Sequence, residues 1–182
     1  MHKMPVTPAP GLQRGAALVV GLIFLSMLSL MGVAAYMVAT QEERMAGNTR
    51  DRIRAFEAAE AALRDCESLL RPAATLPDFN GSGGMYEAPA FGSAQTYETV
   101  NWLTDASVRI IPQIGGADAI PGVARQPRCI VERIGEIEVR RLGDERSGPQ
   151  EVALETIFRI TAMGYGTNIN TTVNLQTMFR RE

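Results

Sequence analysis

The feature that most constrains this chain is a long charge-free stretch near its N-terminus. Residues 15–41 contain no Asp, Glu, Lys or Arg, and as an α-helix they would extend about 40 Å. This length exceeds the roughly 30 Å hydrocarbon core of a bilayer, so the stretch can cross a membrane with some tilt. It follows a short, proline-rich leader, residues 1–15, that ends in Arg14-Gly15. The order of leader, apolar helix and polar remainder predicts a membrane-anchored chain.

The residues of the apolar stretch allow three interpretations. A secretory signal peptide has an apolar core of about 7–15 residues and a small-residue cleavage site. This stretch is longer, although Gly32-Val-Ala-Ala35 could act as such a site. The second interpretation is a plain single-pass anchor. The third is a helix that first anchors the chain and later packs in a filament core. The positive-inside rule does not settle the orientation, because Lys3 and Arg14 are balanced by arginines on the far side; the leader and the cysteine pair favour an N-terminus inside the cell.

The composition excludes several classes of function. The chain has 18 Lys and Arg against 20 Asp and Glu, a formal charge of −2 that becomes −4 if Lys3 and Arg14 are lost with the leader. No basic patch is evident, so nucleic-acid binding is not expected. The only histidine is His2, so the rest of the chain cannot form a Ser-His-Asp triad, a Cys-His pair or a His-ligated zinc site. We expect no enzymatic activity, cofactor, metal or small-molecule substrate.

The two cysteines, Cys66 and Cys129, lie 63 residues apart. If the domain faces an oxidising compartment such as the bacterial periplasm, they are expected to form one disulfide. Closing a loop of that size stabilises a fold by roughly 4 kcal/mol in the chain-entropy model. The alternative is a pair of buried free thiols.

The sequence predicts that the apolar helix continues as an amphipathic one. Apolar and small residues recur at three- and four-residue steps, with most of the charge off that stripe: Met45, Thr49, Ile53, Phe56, Ala59, Leu63, Cys66 and Leu70. Pro72 ends the pattern, which predicts one helix of about 55 residues. Residues 16–41 form its membrane or filament half and residues 42–71 its domain-facing half.

Glycines in this helix have two interpretations each. Gly21 and Gly32 are 11 residues apart and share a face with Ala35, which either permits close helix packing or reflects how common glycine is in membrane helices. Gly47-Asn48 is the weakest point, by about 1 kcal/mol relative to good helix formers. It is either a bending point or a tolerated glycine.

Residues 72–105 are predicted to be loop-rich, because proline and glycine recur throughout them. Asp78, Asn80 and Ser82, followed by Gly83, match the opening of a calcium loop. The twelfth position is Pro89 where such a loop needs Glu, so a glycine-rich turn is the better interpretation.

Residues 106–182 are predicted to be mainly β-structure. Four segments are rich in Ile, Val, Thr and Phe: Ser107–Ile111, Arg128–Ile134, Glu155–Met163 and Thr171–Phe179. The last two alternate like a hairpin whose turn is residues 164–168, whereas residues 136–150 are charged and predicted to be an exposed loop with a short strand at its start. A long helix packed on a small antiparallel sheet is an α+β fold.

Five segments of the chain carry a resemblance to a known family: Arg14-Gly-Ala-Ala-Leu-Val-Val, Gln41-Glu-Glu-Arg-Met-Ala-Gly-Asn48, Arg50-Asp-Arg52, Ala55-Phe-Glu-Ala-Ala-Glu-Ala-Ala-Leu63 and Phe158-Arg-Ile-Thr-Ala-Met-Gly-Tyr-Gly166. They resemble the PilX family of type IV pilus minor pilins. The resemblance is specific over residues 14–66, fair over 155–180 and thin between them.

The resemblance implies a pilin-like fold and a processed precursor. Prepilin peptidase would cleave between Gly15 and Ala16 at the inner membrane, and the new N-terminus at Ala16 would be methylated. The C-terminal domain would lie in the periplasm before assembly and in the pilus afterwards. The implied partners are other minor pilins, the major pilin and a tip adhesin, in a complex that primes the pilus.

Two residues depart from the major-pilin pattern. Ala16 stands where Phe is usual, and Val20 stands where most pilins carry a Glu that pairs with the N-terminal amine of a neighbouring subunit. A subunit without that acid could not pair with a subunit ahead of it, which suits the first position in a filament. The alternatives are the tip pseudopilin of a type II secretion system and a single-pass membrane protein with a periplasmic binding domain.

Overall fold

A computed structural model describes residues 16–71, 75–111, 119–140 and 152–181. The leader with Gly15, the helix-ending Pro72 and residues 141–150 of the predicted charged loop lie outside the described residues. The chain divides into two compact units, one up to Gly47 and one from Asn48 onward. Each unit is described by itself.

The first unit is the N-terminal part of a 54-residue helix, α1, which spans Ala16–Leu69. Its apolar side chains are exposed, with Leu18, Phe24 and Leu30 between 62% and 72% accessible. An 18-residue window of α1 has a mean hydropathy of 2.4 and none of it is buried within the chain. By length and composition α1 can therefore cross a membrane, and the predicted long helix is confirmed.

The second unit packs the C-terminal part of α1 on a sheet. Its remaining elements, in chain order, are β1 Met85–Glu87, the short helix α2 Thr96–Thr99, a 3-10 turn at Asp105–Ser107, β2 Arg109–Ile110, β3 Arg128–Arg140, β4 Val152–Tyr165 and β5 Thr172–Arg181. The described residues form one five-stranded sheet with the order β1-β3-β4-β5, and β2 also pairs with β3. β3 continues through residues 136–140, so the start of the predicted charged loop is strand.

The α+β, pilin-like fold is confirmed, with one correction to the sheet. β3, β4 and β5 are antiparallel, and the predicted hairpin pairs Phe158 with Phe179. β1, however, runs parallel to β3, with Met85 opposite Val131, so the sheet is mixed. The strand is only three residues long and lies within the segment predicted as loop, where glycine punctuation hides so short a strand.

The buried face of α1 is made of small residues. Ala55, Ala58, Ala59, Ala62 and Cys66 are at most 1% exposed, and they face a sheet core. That core includes Cys129, Val131, Phe158, Ile160 and Ala162.

The predicted apolar stripe is therefore wrong in part, because Ile53 and Phe56 are 53% and 46% exposed. Side-chain size explains the difference. At Gly164 the backbone of β4 comes so close to α1 that a Cβ there would overlap the Ala55 carbonyl oxygen and lie 2.9 Å from Ala59 Cα. Only small side chains fit such an approach, so the alanines occupy the contact and the larger apolar residues lie beside it.

We predict that Gly164→Ala lowers the free energy of unfolding by about 3 kcal/mol, because the added methyl group forces the helix and strand backbones apart. The measurement is urea unfolding of the full chain in detergent, followed by the fluorescence of Trp102, the single tryptophan.

The matched control is Gly47→Ala, at a helical glycine where an added methyl group would meet nothing within 4 Å. This change should be neutral or stabilising by up to about 1 kcal/mol. Equal stability of the Gly164→Ala variant and the unsubstituted protein would contradict the close approach.

Candidate functional site

The N-terminal part of α1 contains the residues of the predicted processing site. Ala16 is the first residue of the helix, and Val20 lies one turn further on, 50% exposed. Gly15 is outside the described residues, so the cleavage and methylation sites remain predictions. A Cβ atom added at Gly21 or Gly32 would meet nothing within 4 Å, so the role of these glycines in helix packing also remains a prediction.

The hydroxyl groups of this apolar segment are satisfied within the helix. Ser26 and Ser29 donate to the Ile23 and Leu25 carbonyls at 2.8 Å, and Thr40 donates to the Met37 carbonyl at 2.9 Å. In an apolar surrounding an unbonded hydroxyl is costly, and back-bonding to the helix removes that cost. The segment can therefore lie in lipid or against other helices without exposing an unpaired hydroxyl.

The two cysteines join the helix to the sheet. Cys66 of α1 and Cys129 of β3 form a disulfide with their Cα atoms 6.6 Å apart, and both residues are fully buried. Beside this bond, Arg109 of β2 donates to the Asp65 carboxylate at 2.9 Å. A covalent bond and an ion pair thus hold the last turns of α1 against the sheet.

A second attachment, which sequence reasoning missed, lies at the turn between β4 and β5. The Asp51 carboxylate of α1 accepts hydrogen bonds from the backbone amide and the hydroxyl of Thr167. Gly166 makes the approach possible, since a Cβ there would lie 2.5 Å from Asp51 Oδ1. The hydroxyls of Thr167 and Thr171 and the Thr167 amide lower the pKa of Asp51 by stabilising its charged form. The sequence Gly164-Tyr-Gly-Thr167, which runs from the end of β4 into the turn, was the available signal, but Asp51 lies 116 residues before Thr167 in the chain.

The opposite face of the sheet contains a buried ion pair. Glu132 of β3 is fully buried and receives two hydrogen bonds from Arg159 of β4, at 2.8 and 2.9 Å. Arg159 also donates to the Gln95 side chain and lies over the Tyr97 ring, 5.3 Å from its centroid. The hydrogen bonds to Glu132 raise the pKa of Arg159. This cluster attaches the segment after β1 to the sheet.

The calcium-like segment has the geometry of a tight turn. The Asn80 side-chain oxygen accepts hydrogen bonds from the Ser82 amide at 3.1 Å and the Ser82 hydroxyl at 2.6 Å, while Asp78 is exposed. Gly81 and Gly83 have positive φ angles of 82° and 58°. Within the described ranges, no group of three or more His, Cys, Asp or Glu residues is placed to hold a metal ion.

Two family models match the chain, and together they cover more than half of it. The one described as PilX N-terminal matches residues 14–64, and the one described as Type IV pilus assembly protein PilX C-term matches residues 72–181. The chain belongs to the PilX family. No significant match is found among curated proteins or among solved structures.

Membership of the PilX family makes the chain a component of type IV pilus assembly, in a family of structural pilins that interact with other pilus components. Together with the apolar helix, it indicates membrane anchoring. The two matched regions meet in the fold: Ala55 and Asp51 belong to the N-terminal match, whereas their partners Gly164 and Thr167 belong to the C-terminal one.

We predict that Asp51 makes stability depend on pH. A carboxyl whose pKa is lowered on folding stabilises the fold above its unfolded pKa, near 4, and this contribution is lost as the pH falls through the folded pKa. From about pH 6 to about pH 3, the free energy of unfolding should therefore fall more in the unsubstituted protein than in Asp51→Asn.

The measurement is again Trp102 fluorescence during urea unfolding of the full chain in detergent. The control is Asp78→Asn, at an exposed carboxyl with no hydrogen bond or ion pair to the described residues, which should keep the original pH dependence. Parallel pH curves for the Asp51→Asn variant and the unsubstituted protein would show that this contact does not contribute.

Proposed function

We propose that this chain is a non-enzymatic minor pilin that initiates a type IV pilus and occupies its tip. The single observation that carries the proposal is Val20, an apolar residue one helical turn after Ala16. The resemblance to pilins implies an acid at this position that pairs with the N-terminal amine of a neighbour. With Val20 this subunit offers no such partner, so the first place in the filament suits it.

The energetics of a buried charge support this assignment. An ionised group in an apolar filament core is costly unless it is paired. A first subunit has no subunit ahead of it, so an acid at position 20 would remain unpaired there. A valine avoids that cost and preserves the apolar surface of α1, where Val19 and Val20 are 57% and 50% exposed within the single chain.

The proposed organisation of the chain rests on its sequence pattern and on the resemblance to pilins. Residues 1–15 are the leader, 16–41 the membrane or filament half of the helix, 42–71 its amphipathic half and 72–182 a periplasmic domain. Within that domain 72–105 are loop-rich and 106–182 mainly β. The disulfide between Cys66 and Cys129 supports a periplasmic location, because such bonds persist in oxidising compartments.

In this proposal the protein is located first in the inner membrane and, after processing, in the pilus. Prepilin peptidase cleaves between Gly15 and Ala16, and Ala16 is then methylated. The processed chain assembles with other minor pilins, the major pilin and a tip adhesin. A missing acid at position 20 also suits a type II secretion pseudopilin, and the match to a pilus assembly family favours the pilus.

We predict that the mature protein begins at a methylated Ala16. The measurement is mass spectrometry of the N-terminal peptide of the full protein extracted from membranes and from sheared pili of the native host. A peptide that begins at Met1, or one that begins near Ala35, would contradict the pilin assignment.

We predict that Val20→Glu reduces pilus number and moves the protein away from pilus tips, because the new acid can pair with a neighbouring amine inside the shaft. The measurements are pilus counts and immunogold labelling by electron microscopy.

Val19→Glu is the matched control: it brings the same charge and the same insertion cost, up to roughly 3 kcal/mol, at a position shifted around the helix by about 100°. It should reduce pilus number without moving the protein into the shaft. Unchanged piliation and tip location in the Val20→Glu strain would contradict the proposal.

A further inference from the structure

Among the described residues, the outer edge of β5 lacks the usual protection of a sheet edge. β5 is last in the strand order, and no strand in the described parts of the chain pairs with its outer edge. Residues 172–179 of this strand contain no charged side chain and no proline. Natural proteins guard such edges with lysines, prolines or bulges, because unpaired amides and carbonyls can pair with another chain.

A groove lies between this strand and α1. It has a volume of about 550 Å³, and its lining includes Arg52, Ile53 and Phe56 from the helix and Val173 and Asn174 from β5. A smaller hollow of about 300 Å³, lined by Asn48 and Asn170 among others, shares Arg52 with it. We call these two hollows together the β5 groove.

The helix side of the β5 groove exposes apolar surface. Ile53 and Phe56 lie one turn apart on α1 and retain 53% and 46% of their accessible area. They lie beside the alanine contact that holds the helix on β4, so the sheet leaves them uncovered. An apolar side chain from another molecule would bury them, and removing their apolar area from water favours that contact.

Arg52 gives the β5 groove a positive charge that no described residue of the chain neutralises. None of the described residues that line the groove is acidic, and Arg52 makes no hydrogen bond or ion pair with the described residues. Its neighbour Arg54, by contrast, donates to the Gly122 carbonyl. A carboxylate brought by a partner would meet the Arg52 guanidinium at this point.

We infer that the β5 groove binds an extended segment of a different pilus subunit, which adds as a strand to β5, presents a carboxylate to Arg52 and buries an apolar side chain on Ile53 and Phe56. Main-chain hydrogen bonds to the strand edge supply affinity, and the carboxylate and apolar side chain supply specificity. This inference rests on the proposed role as a pilin that assembles with other pilins.

The charges favour a different subunit over other occupants. A second copy that paired through its own β5 would bring no acid from within that strand, since Thr172–Arg181 contains none, so the strand itself would leave Arg52 unpaired. An anionic lipid surface is generally recognised by clusters of about four to eight basic residues, whereas the described lining of the groove has one.

The test places a photocrosslinker in the full-length protein in piliated cells of the native host. p-Benzoylphenylalanine replaces Asn174, which is exposed and lines the groove, and a second strain carries it at the exposed residue Asp78, outside the groove. The crosslinked peptide is identified by mass spectrometry. The expected product, formed only from position 174, joins this chain to another pilus subunit within a few residues of an Asp or Glu.

Two substitutions then test the proposed contacts with Arg52 and with Phe56. Arg52→Glu should lower the crosslink yield at least about tenfold, since reversing one charge of an interfacial pair costs well over 1.4 kcal/mol. Phe56→Glu should do the same, because it removes apolar surface and supplies Arg52 with an internal partner one turn away. The control Arg50→Glu changes the same charge at an exposed position on the same helix that does not line the groove, and should leave the yield within about twofold.

Several outcomes would overturn the inference and leave the proposed pilin role standing. They are a crosslink only to a second copy, no crosslink at position 174 in cells that make pili, or equal yields from the Arg52→Glu and Arg50→Glu strains. Trp102 fluorescence of each purified variant shows whether it is folded. A protein that retains its leader and is absent from sheared pili would instead overturn the pilin role itself.

Discussion

The fold depends on how closely α1 approaches β4. At the contact between Gly164 and the helix turn that contains Ala55 and Ala59, there is no room for a side chain on the strand. Because packed interiors tolerate little overlap, this approach selects alanine for the buried helix face. It also leaves the larger apolar residues Ile53 and Phe56 beside the contact, where they line a groove.

Polar and covalent contacts surround this alanine contact on both sides. Asp51 bonds the β4–β5 turn near one end, and the disulfide of Cys66 and Cys129 joins the other end of the packed helix to β3. A buried ion pair such as Glu132 with Arg159 loses hydration on folding, and its two hydrogen bonds offset that loss only with good geometry. Each contact therefore restricts where the chain can lie, and the Asp51 bond and the disulfide together hold the sheet in one position on the helix.

The functional assignment depends on how charge is distributed along α1. Its first half has no charged side chain after Ala16 until Glu42, and its serine and threonine hydroxyls bond back to the helix. Such a surface suits lipid first and other apolar helices later. Val20 continues this pattern at the one position where the pilin resemblance implies an acid, and the proposed tip location rests on that difference.

The sequence by itself determined the long helix, the β4–β5 hairpin and the family, because charge-free length and alternating side chains are local patterns. Local patterns identified the buried face of α1 only in part: they included the buried Ala59 and Cys66, but they also favoured Ile53 and Phe56, which the close approach at Gly164 leaves exposed. The parallel strand β1, the bond from Asp51 to Thr167 and the pair of Glu132 with Arg159 also needed the tertiary structure. All of these join residues far apart in the chain, and only the folded backbone brings their atoms within bonding distance.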